Sequence, residues 1–464
     1  MAKISADDTI AAIATPVGEG GIGIIRLSGR LSVAIADKIF EPASGKKLSG
    51  CAAYTTHYGK IRDPKTSKIV DEVIVTVMRA PKSYTREDVV EINCHGGLQP
   101  VKKTLELVLK AGARVADPGE FTKRAFLNGR IDLVQAEAVL DVIRSKTEAS
   151  LKVAMAQLEG GLSGKIDAIR EEMLDVASEL EADIDFSEEE ALAPDRKKLS
   201  GRIDKIIKDL KKLIDTYGAG SILREGVLAV ICGKPNAGKS SLMNLLLKRD
   251  RVIVSPIPGT TRDTIEEMIS LKGIPIRLVD TAGIIDTGDM VEREGVVRSK
   301  RYLAMADIVI LVLDHSVKIN KADRDIIKIC AGKKKLVVLN KTDLAGKIEA
   351  KTVRALLKKE RPIKISVSKR KNIDLLENAL ADAVWSGGFA QGEPAVISNA
   401  RHKGLLDKAL ANMLSVKEAF KADEPPEIIA IDLKEATAAL GLVIGKTVSD
   451  DILDRIFERF CIGK

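Results

Sequence analysis

The stretch Gly233–Ser240, called the P-loop below, has the residue types and spacing that most clearly suggest chemistry. It reads G-x-x-x-x-G-K-S, between the apolar run Val227–Ile231 and a helical pattern over Ser241–Leu247. A glycine-rich turn lets backbone N–H groups approach phosphate oxygens, and the N-terminus of the following helix adds partial positive charge. Lys239 can reach the β- and γ-phosphates, and the Ser240 hydroxyl can bind Mg²⁺. The spacing therefore predicts a nucleoside triphosphate site, the alternative being a glycine turn that matches by chance.

Three further stretches follow predicted strands, and together they indicate that the nucleotide is a guanine nucleotide. Asp280 can hold Mg²⁺ through water, and the amide of Gly283 can meet the γ-phosphate. Asn340–Asp343 reads N-K-T-D, and the carboxylate of Asp343 can accept both the N1–H and the 2-amino group of guanine. Adenine presents neither donor in that arrangement, so it would leave the carboxylate unpaired. With Ser366–Ser368 in the place of a third guanine loop, this order of stretches predicts a GTPase.

Three positions on either side of Asp280 concern the hydrolysis step. The segment Gly259–Asp263 can supply Thr261 as a second Mg²⁺ ligand. Ile284 stands where many small GTPases carry a glutamine that orients the attacking water, and isoleucine has no group for that task. Glu292 is the nearest candidate for a replacement, the alternative being one more acid on a helix surface.

The composition indicates an ordinary globular chain. Its 464 residues, with 45% hydrophobic and 30% charged residues, suffice for about three domains. The net charge of +8 and the pI of about 9.0 suit a polyanionic partner such as RNA, although such an excess is as often a solvated surface. Aromatic residues make up only 3%, which argues against a base-stacking platform.

The cysteines and the N-terminus indicate the compartment. The cysteines are Cys51, Cys94, Cys232, Cys330 and Cys461. They are odd in number and form no C-x-x-C pair, so we expect a reducing compartment and neither a disulfide framework nor a structural zinc site. The N-terminus has no apolar signal core, and no apolar run is long enough to span a membrane. We therefore expect a cytoplasmic protein with no membrane span.

The elements that position these residues change in type along the chain. Residues 1–120 mix short strands with two amphipathic helices, which predicts an α+β domain. Over 121–222 apolar residues recur at intervals of three and four, as on one face of long helices, with Lys and Asp on the other face of 200–217. Residues 223–384 alternate strand and helix, which predicts a mostly parallel α/β domain, and helical patterns return over 385–464.

This order predicts a multidomain α+β, all-α and α/β protein, in which the P-loop domain is inserted into a helical domain. The alternative is that the two helical halves are separate domains.

The chain resembles the tRNA modification GTPase family called MnmE or TrmE over essentially all of its 464 residues. Besides the GTPase motifs, segments at both ends of the chain carry the resemblance. They are Asp8–Ile10, Gly20–Gly29, Ser83–Glu91, Cys94–Gly97, Pro118–Asn128, Asp132–Ala138 and Cys461–Lys464. The last of them is specific, because it places C-x-G-K at the end of the chain.

The resemblance implies an N-terminal domain that dimerises and binds folate, over 1–120, and a helical domain, over 121–222 and 385–464, split by a G domain over 223–384. It implies an enzyme that hydrolyses GTP within a homodimer whose G domains meet, with K⁺ beside the P-loop in place of an arginine finger. With the flavoprotein MnmG (GidA), in a heterotetrameric or larger complex, it would add an aminomethyl or carboxymethylaminomethyl group to C5 of the wobble uridine of certain tRNAs. A 5-formyl- or 5,10-methylene-tetrahydrofolate would supply the one-carbon unit.

The resemblance also assigns nucleotide and metal contacts residue by residue. Ser240 and Thr261 would bind Mg²⁺. The K⁺ site would consist of Asn236, Ser255, Ile257 and Thr260. Glu292, which would orient water, would act in catalysis with Lys239 and Thr261. The remaining nucleotide contacts would come from Gly233, Ala237, Gly238, Ser241, Asp280, Thr281, Ala282, Gly283, Asn340, Lys341, Asp343, Ser366 and Ser368.

The folate site implied by the resemblance consists of Arg26, Glu91, Arg130 and Lys464. Its cations suit the carboxylates of a glutamate tail, and its acid suits the donor edge of a pterin. Cys461 would be a catalytic thiol, the alternative being a partly buried small hydrophobe at a helix end. Arg86 departs from the family, because it replaces the glycine of the usual S-Y-T-G-E-D stretch.

Two other kinds of GTPase share Lys239, Asp280 and Asp343. A ribosome-assembly GTPase would be a binding and checkpoint module, usually with a recognisable RNA-binding appendage that we do not find in this sequence. A G-domain switch on a helical scaffold would have a regulatory role. The ribosome-assembly GTPase would not need the segments Gly20–Gly29 and Cys461–Lys464.

Overall fold

The computed structural model describes residues 8–185, 195–250, 266–280, 301–348, 352, 356, 360–384 and 395–464. By their contacts they form two compact units, the first of residues up to Leu140 together with Thr437–Lys464, the second of Asp141–Ala436. The predicted fold class is confirmed, because an α+β part, long helices and a mostly parallel P-loop sheet are all present. Among the described helices, none has the length and apolar character needed to cross a membrane.

Helices and strands have the following bounds in the described residues. The helices are α1 (Ser32–Ile39), α2 (Leu98–Lys110), α3 (Glu120–Leu127), α4 (Leu133–Arg144), α5 (Glu148–Leu158), α6 (Gly161–Asp185), α7 (Arg196–Asp215), α8 (Tyr217–Glu225), α9 (Lys239–Asp250), α10 (Lys321–Ile329), α11 (Ile373–Val384), α12 (Ala400–Lys421), α13 (Pro426–Ile444) and α14 (Asp450–Phe457). The strands are β1 (Ile10–Ile13), β2 (Gly20–Ser28), β3 (Phe40–Pro42), β4 (Thr55–Arg62), β5 (Ile69–Met78), β6 (Val89–Gly96), β7 (Arg114–Val115), β8 (Val227–Cys232), β9 (Glu266–Leu271), β10 (Ile274–Asp280), β11 (Ile308–Asp314), β12 (Lys335–Asn340) and β13 (Ile363–Lys364).

The first unit is built on a sheet whose described strands follow the order β3-β4-β5-β6-β2-β1-β7. Only the β1–β7 pair among them is parallel. Side chains alternate between the two faces of a strand, so Ile25, Leu27, Val75 and Ile92 point to one face, where α1 and α2 cover them. The opposite face carries polar residues, including Arg26 and Glu91, which the β2–β6 register places side by side.

The long helices of the second unit are amphipathic, as the sequence predicts. Ile166, Met173 and Val176 are buried on α6, and Leu199, Ile203, Ile206, Leu210 and Leu213 are buried on α7. A capping residue fixes the start of α7, because the Asp195 carboxylate accepts the N–H groups of Lys197 and Lys198 at 3.0 and 3.1 Å. Helix α7 packs against both α6 and α12, so helices before and after the second sheet in sequence lie together.

The second sheet, also in the second unit, has its described strands in the order β13-β12-β11-β8-β10-β9. All neighbours are parallel except β9, which pairs antiparallel with β10 at one edge. Strands β8 and β11 are buried along their whole length, which explains their uninterrupted apolar sequences. Strands β8, β10, β11 and β12 run in the same direction, so their carboxyl ends form one edge of the sheet. The P-loop, Asp280, Asp314 and Asn340 all lie at this carboxyl edge, where ligands of such sheets bind.

The segment that follows the second sheet is tied to the helices that precede it. The amide of Gln157 on α5 is buried and donates to the Val396 carbonyl at 2.6 Å and to the Ser398 hydroxyl at 3.1 Å. The N–H of Ile397 donates to the Thr216 hydroxyl at 3.0 Å. These hydrogen bonds fix the path by which the chain returns to the helices.

Candidate functional site

The P-loop has the backbone that phosphate binding requires. Gly233 has a φ of +153°, and a Cβ there would lie 2.3 Å from the carbonyl oxygen of Val312. Gly238 has a φ of +97°, and a Cβ there would lie 2.2 Å from Nδ2 of Asn340. A side chain at position 233 would displace β11, and one at position 238 would displace the Asn340 amide, so both glycines are needed for this close packing. Asn236 is exposed and lies in the left-handed region, with a φ of +63°.

The last two P-loop residues stand at the start of α9. Lys239 is buried, and its Nζ donates to the carbonyl of Lys234 at 3.0 Å, so the ammonium lies over the loop itself. The Ser240 hydroxyl donates to Oδ2 of Asp280 at 2.6 Å. A hydroxyl and a carboxylate oxygen thus lie together at the end of β10. Oxygen donors of this kind are those that Mg²⁺ binds in phosphate sites.

Asn340 connects the P-loop to the loops that the sequence predicts for guanine. Its side chain is buried; Nδ2 donates to the Ala237 carbonyl at 2.9 Å, and Oδ1 accepts the N–H of Val367 at 3.2 Å. One amide group therefore satisfies a P-loop carbonyl and the amide of Val367 at the same time. The sequence predicts Asn340 as a nucleotide contact, but the structure also makes it the link between three loops.

Asp343 lies within hydrogen-bond distance of both serines of the third predicted loop. The hydroxyl of Ser366 donates to Oδ1 at 2.5 Å, and that of Ser368 donates to Oδ2 at 3.1 Å. The hydrogen bond from Ser366 is the main reason why the pKa of Asp343 lies below its ordinary value. The carboxylate is thus exposed, oriented and ionised at neutral pH, as an acceptor for two base donors must be.

The structure adds two ion pairs at this edge that no motif in the sequence indicates. Lys341 Nζ donates to Oδ2 of Asp314 at 2.7 Å, and Lys234 Nζ lies 3.1 Å from Oδ2 of the buried Asp323. Burial favours a higher pKa for Asp314, but the bonds from Lys341 and Ser316 outweigh it and hold that pKa below the ordinary value. The Lys341–Asp314 pair could have been predicted from the sequence. Asp314 ends β11, and Lys341 directly follows Asn340, which ends the neighbouring parallel strand β12.

Several predicted residues lie outside the described part of the chain. For the K⁺ site they are Ser255, Ile257 and Thr260, and for Mg²⁺ and the γ-phosphate they are Thr261, Thr281, Ala282 and Gly283. Glu292, predicted to orient the attacking water, and Ile284 lie there as well. The described nucleotide site therefore consists of the P-loop, Asp280 and the two guanine loops.

The first unit contains a separate cluster of three cations and one acid. Arg26 Nε donates to Glu91 Oε1 at 2.8 Å, and Arg26 Nη1 donates to the carbonyl of Gly463 at 3.2 Å. The cluster includes Lys464, whose pKa is lowered by its burial and then by the nearby Arg26. The guanidinium of Arg130 lies 4.4 Å from the centre of the Tyr84 ring. The structure therefore brings together Arg26, Glu91, Arg130 and Lys464, all predicted for one site.

The cluster retains capacity for a ligand. Nε of Arg130 is buried and has no hydrogen-bond partner among the described residues. The rings of Tyr84 and Phe121 each lie 5.7 Å from the Arg26 guanidinium. An excess of cations around aromatic rings favours an anionic ligand with a planar ring system.

Four further residues have positions that bear on the predictions. The thiol of Cys461 is exposed, which disfavours the alternative that it is a packing residue. Arg86, which replaces the family's glycine, has a φ of +60°, the backbone region that favours glycine, and its Nη1 donates to the Asn128 carbonyl at 2.9 Å. The five cysteines are free thiols, but Sγ of Cys232 and Sγ of Cys330 lie 3.5 Å apart in the core of the second unit.

Comparison with known proteins gives matches over nearly the whole chain. A family model described as MnmE helical domain matches residues 133–461, and one described as GTP-binding protein TrmE N-terminus matches residues 9–130. A protein of Carboxydothermus hydrogenoformans named tRNA modification GTPase MnmE is 51% identical over 461 residues, which cover 99% of this chain and 100% of that protein. Proteins of the same name from Alkaliphilus oremlandii and Alkaliphilus metalliredigens are 48% and 46% identical, each over 99% of both chains.

Proposed function

The chain belongs to the tRNA modification GTPase MnmE family, and from this membership we propose that it hydrolyses GTP as a step in the modification of tRNA. The observation that carries the proposal is the geometry at the edge of the second sheet. There Asn340 bonds both the P-loop and the loop that orients Asp343, so phosphate and guanine contacts form one connected site. Such a connection makes recognition of the base and positioning of the phosphates interdependent.

The described residues have clear roles in this proposal. Lys239 and the P-loop amides bind the β- and γ-phosphates, and Asp343 accepts the two donors of guanine. Ser240 would supply an oxygen ligand to Mg²⁺ and Asp280 would hold the ion through water, so that bound Mg²⁺ would neutralise phosphate charge. Thr261 is the second Mg²⁺ ligand and Glu292 orients the attacking water, since Ile284 has no polar group for that task.

We propose that hydrolysis also requires K⁺ and a homodimer. Asn236 is the side-chain ligand of K⁺, together with backbone groups of Ser255, Ile257 and Thr260. The exposed position of Asn236 within the P-loop supports this role, because its side chain is accessible to an ion from solvent. When bound, K⁺ would supply the positive charge that an arginine supplies in other GTPases.

The cation cluster of the first unit is proposed to hold tetrahydrofolate. Arg130, Arg26 and Lys464 suit the carboxylates of the glutamate tail, and the unpartnered Nε of Arg130 gives one of them a buried donor. Glu91, which already accepts from Arg26, suits the donor edge of the pterin. When bound, the folate supplies the one-carbon unit, and the exposed thiol of Cys461 lies in the terminal segment next to Lys464.

The remaining parts of the proposal concern partners and domains. With the flavoprotein MnmG in a heterotetrameric or larger complex, the homodimer modifies C5 of the wobble uridine of tRNA in the cytoplasm. Its domains are the N-terminal part to 120, the helical parts 121–222 and 385–464, and the G domain 223–384. The packing of α7 on α12 supports a single helical domain interrupted by the G domain.

The test is a reconstitution with the purified chain, the flavoprotein, unmodified tRNA, GTP and 5,10-methylene-tetrahydrofolate, read by mass spectrometry of the tRNA nucleosides. Two variants of one helix are compared, Lys239→Ala and Lys248→Ala, because Lys248 is exposed on the last turn of α9. We expect the first to lose GTP hydrolysis and uridine modification together, and the second to retain both. Full modification by Lys239→Ala, or GTP hydrolysis with no modified uridine in any condition, would contradict the proposal.

A further inference from the structure

Helix α7 presents a row of lysines to solvent. Its buried residues occupy one side, and the exposed lysines of the other side recur at intervals of three, four and seven residues. They are Lys197, Lys198, Lys205, Lys208, Lys211 and Lys212, all of them exposed. At a rise of about 1.5 Å per residue, the row extends over about 22 Å. We call it the α7 lysine face.

Neighbouring acids are largely engaged elsewhere. Arg202 of α7 forms ion pairs with three acids of α6: Glu172 at 2.8 Å, Asp175 at 3.6 Å, and Glu179. Asp204, on the lysine face itself, pairs with Lys417 of α12 at 2.5 Å. The cation that α12 contributes therefore offsets one of the acids of this face.

Most of the lysines have no acidic partner in the described part of the chain. Lys197, Lys198, Lys208 and Lys211 form no ion pair with it, and Lys205 lies near Glu172. Asp215 is the other exposed acid on this side. The α7 lysine face is therefore a strip of net positive charge, fixed in place because the opposite side of the helix is buried against α6 and α12.

We propose that the α7 lysine face is a docking surface for the phosphodiester backbone of tRNA. This inference rests on the proposed function, which requires tRNA binding but leaves the surface unassigned. Lysine ammonium groups pair with phosphates as point charges, and the binding gains from release of counterions. The face has no aromatic residue to stack on a base, so it positions the RNA without reading its sequence.

The same surface fits an anionic membrane poorly. Interfacial helices insert an apolar side into the lipid, whereas the apolar side of α7 (Leu199, Ile203, Ile206, Leu210 and Leu213) is buried inside the protein. A polyanion that approaches from solvent needs only the charged side. The chemistry thus favours RNA.

The experiment measures binding of fluorescently labelled, unmodified tRNA to the full-length chain by polarisation over a range of KCl concentrations. The test variant is Lys197→Gln/Lys208→Gln/Lys211→Gln. The control removes the same charge from exposed loop lysines, as Lys46→Gln/Lys65→Gln/Lys68→Gln. Loss of three phosphate contacts should weaken binding about 30-fold near 0.1 M salt and reduce the log–log salt slope by about two to three. The control should change neither, and both variants should hydrolyse GTP at the normal rate.

The outcomes separate the two proposals. If the unaltered chain binds tRNA and the α7 variant loses no more affinity than the control, the docking surface is refuted and the proposed function stands. If the unaltered chain binds no tRNA at low salt, the docking surface is refuted, whereas the proposed function is decided by the reconstitution with the flavoprotein. Binding to phosphatidylglycerol vesicles that depends on these lysines, without tRNA binding, would identify a membrane surface and overturn the proposal. As a second measurement, tRNA should protect Lys197, Lys208 and Lys211 of the unaltered chain from acetylation, and equal modification with and without tRNA would refute the surface.

Discussion

The most informative perturbation of the nucleotide site is Asp343→Asn. In the structure the two carboxylate oxygens accept from Ser366 and Ser368, which orients the group toward solvent at the edge of the second sheet. Asparagine has the same shape, and a serine hydroxyl can accept from its Nδ2 as readily as it donates to a carboxylate. The substitution therefore leaves the loop intact and changes only the donor and acceptor pattern that the base meets.

The magnitude follows from counting the contacts to guanine. The carboxylate accepts the N1–H and the 2-amino group, whereas asparagine accepts one of them without charge and opposes the other with an N–H of its own. Loss of one charge-assisted hydrogen bond and a mismatch at the other should weaken GDP binding by about 10² to 10⁴-fold. Xanthine carries a 2-oxo group, to which the asparagine amide can donate. The variant should therefore prefer XDP to GDP.

The assay is calorimetric titration of the full-length chain with GDP and with XDP. Asp325→Asn is the matched control, because Asp325 is exposed on α10 in the same unit and away from the predicted loops. We expect the control to bind GDP as the unaltered chain does. If Asp343→Asn keeps the original affinity for GDP and gains none for XDP, then Asp343 does not read the base and the guanine assignment fails.

Three further predictions concern the connections between loops, the helices and the folate cluster. Asn340→Ala leaves the buried Ala237 carbonyl and the Val367 amide without a hydrogen bond. It should lower the free energy of unfolding in urea by about 2–5 kcal/mol and weaken GDP binding. An unfolding midpoint equal to that of the unaltered chain would show that Asn340 does not link these loops. Gln157→Ala removes the two hydrogen bonds to the returning segment; it should cost about 1–3 kcal/mol with GDP affinity unchanged, and an unchanged midpoint would contradict this. The charged form of Lys464 should bind folate carboxylates, and its pKa lies below the ordinary 10.5, so folate affinity should fall as pH rises through that lowered pKa, and Lys464→Gln should remove the dependence.

Local patterns were sufficient to predict the P-loop domain. Strands β8, β10, β11 and β12 are short apolar runs followed by polar residues, and each strand ends within one residue of the run that predicts it. These runs are Val227–Ile231, Pro275–Val279, Ile308–Leu313 and Lys335–Leu339. The sequence patterns did not predict strands β4 and β9. In β9 only Ile269 and Leu271 are buried, since it is an edge strand with one polar side. In β4 exposed residues alternate with half-buried ones, and only Gly59 and Ile61 are buried.

Sequence periodicity could not predict contacts between residues that are far apart in the sequence. The pairing of Arg26 with Glu91 depends on the register of β2 and β6, and the contact of Cys232 with Cys330 depends on how the end of α10 packs on β8. The family resemblance predicted Arg26 and Glu91 for one site, and the structure shows that their side chains form an ion pair. No pattern in the sequence indicated that Asn340 would hold the P-loop in addition to its place in the N-K-T-D motif.

The central claim is that this P-loop hydrolyses GTP by a mechanism that uses K⁺ held at Asn236. The most direct measurement is the rate of phosphate release by the purified chain with GTP or ATP, in KCl or NaCl at equal ionic strength, for the unaltered protein and for Asn236→Ala. The account predicts hydrolysis of GTP and not ATP, stimulation by K⁺ over Na⁺, and loss of that stimulation in Asn236→Ala. Equal rates with GTP in K⁺ and Na⁺ would contradict it and would indicate a switch that awaits a separate activator.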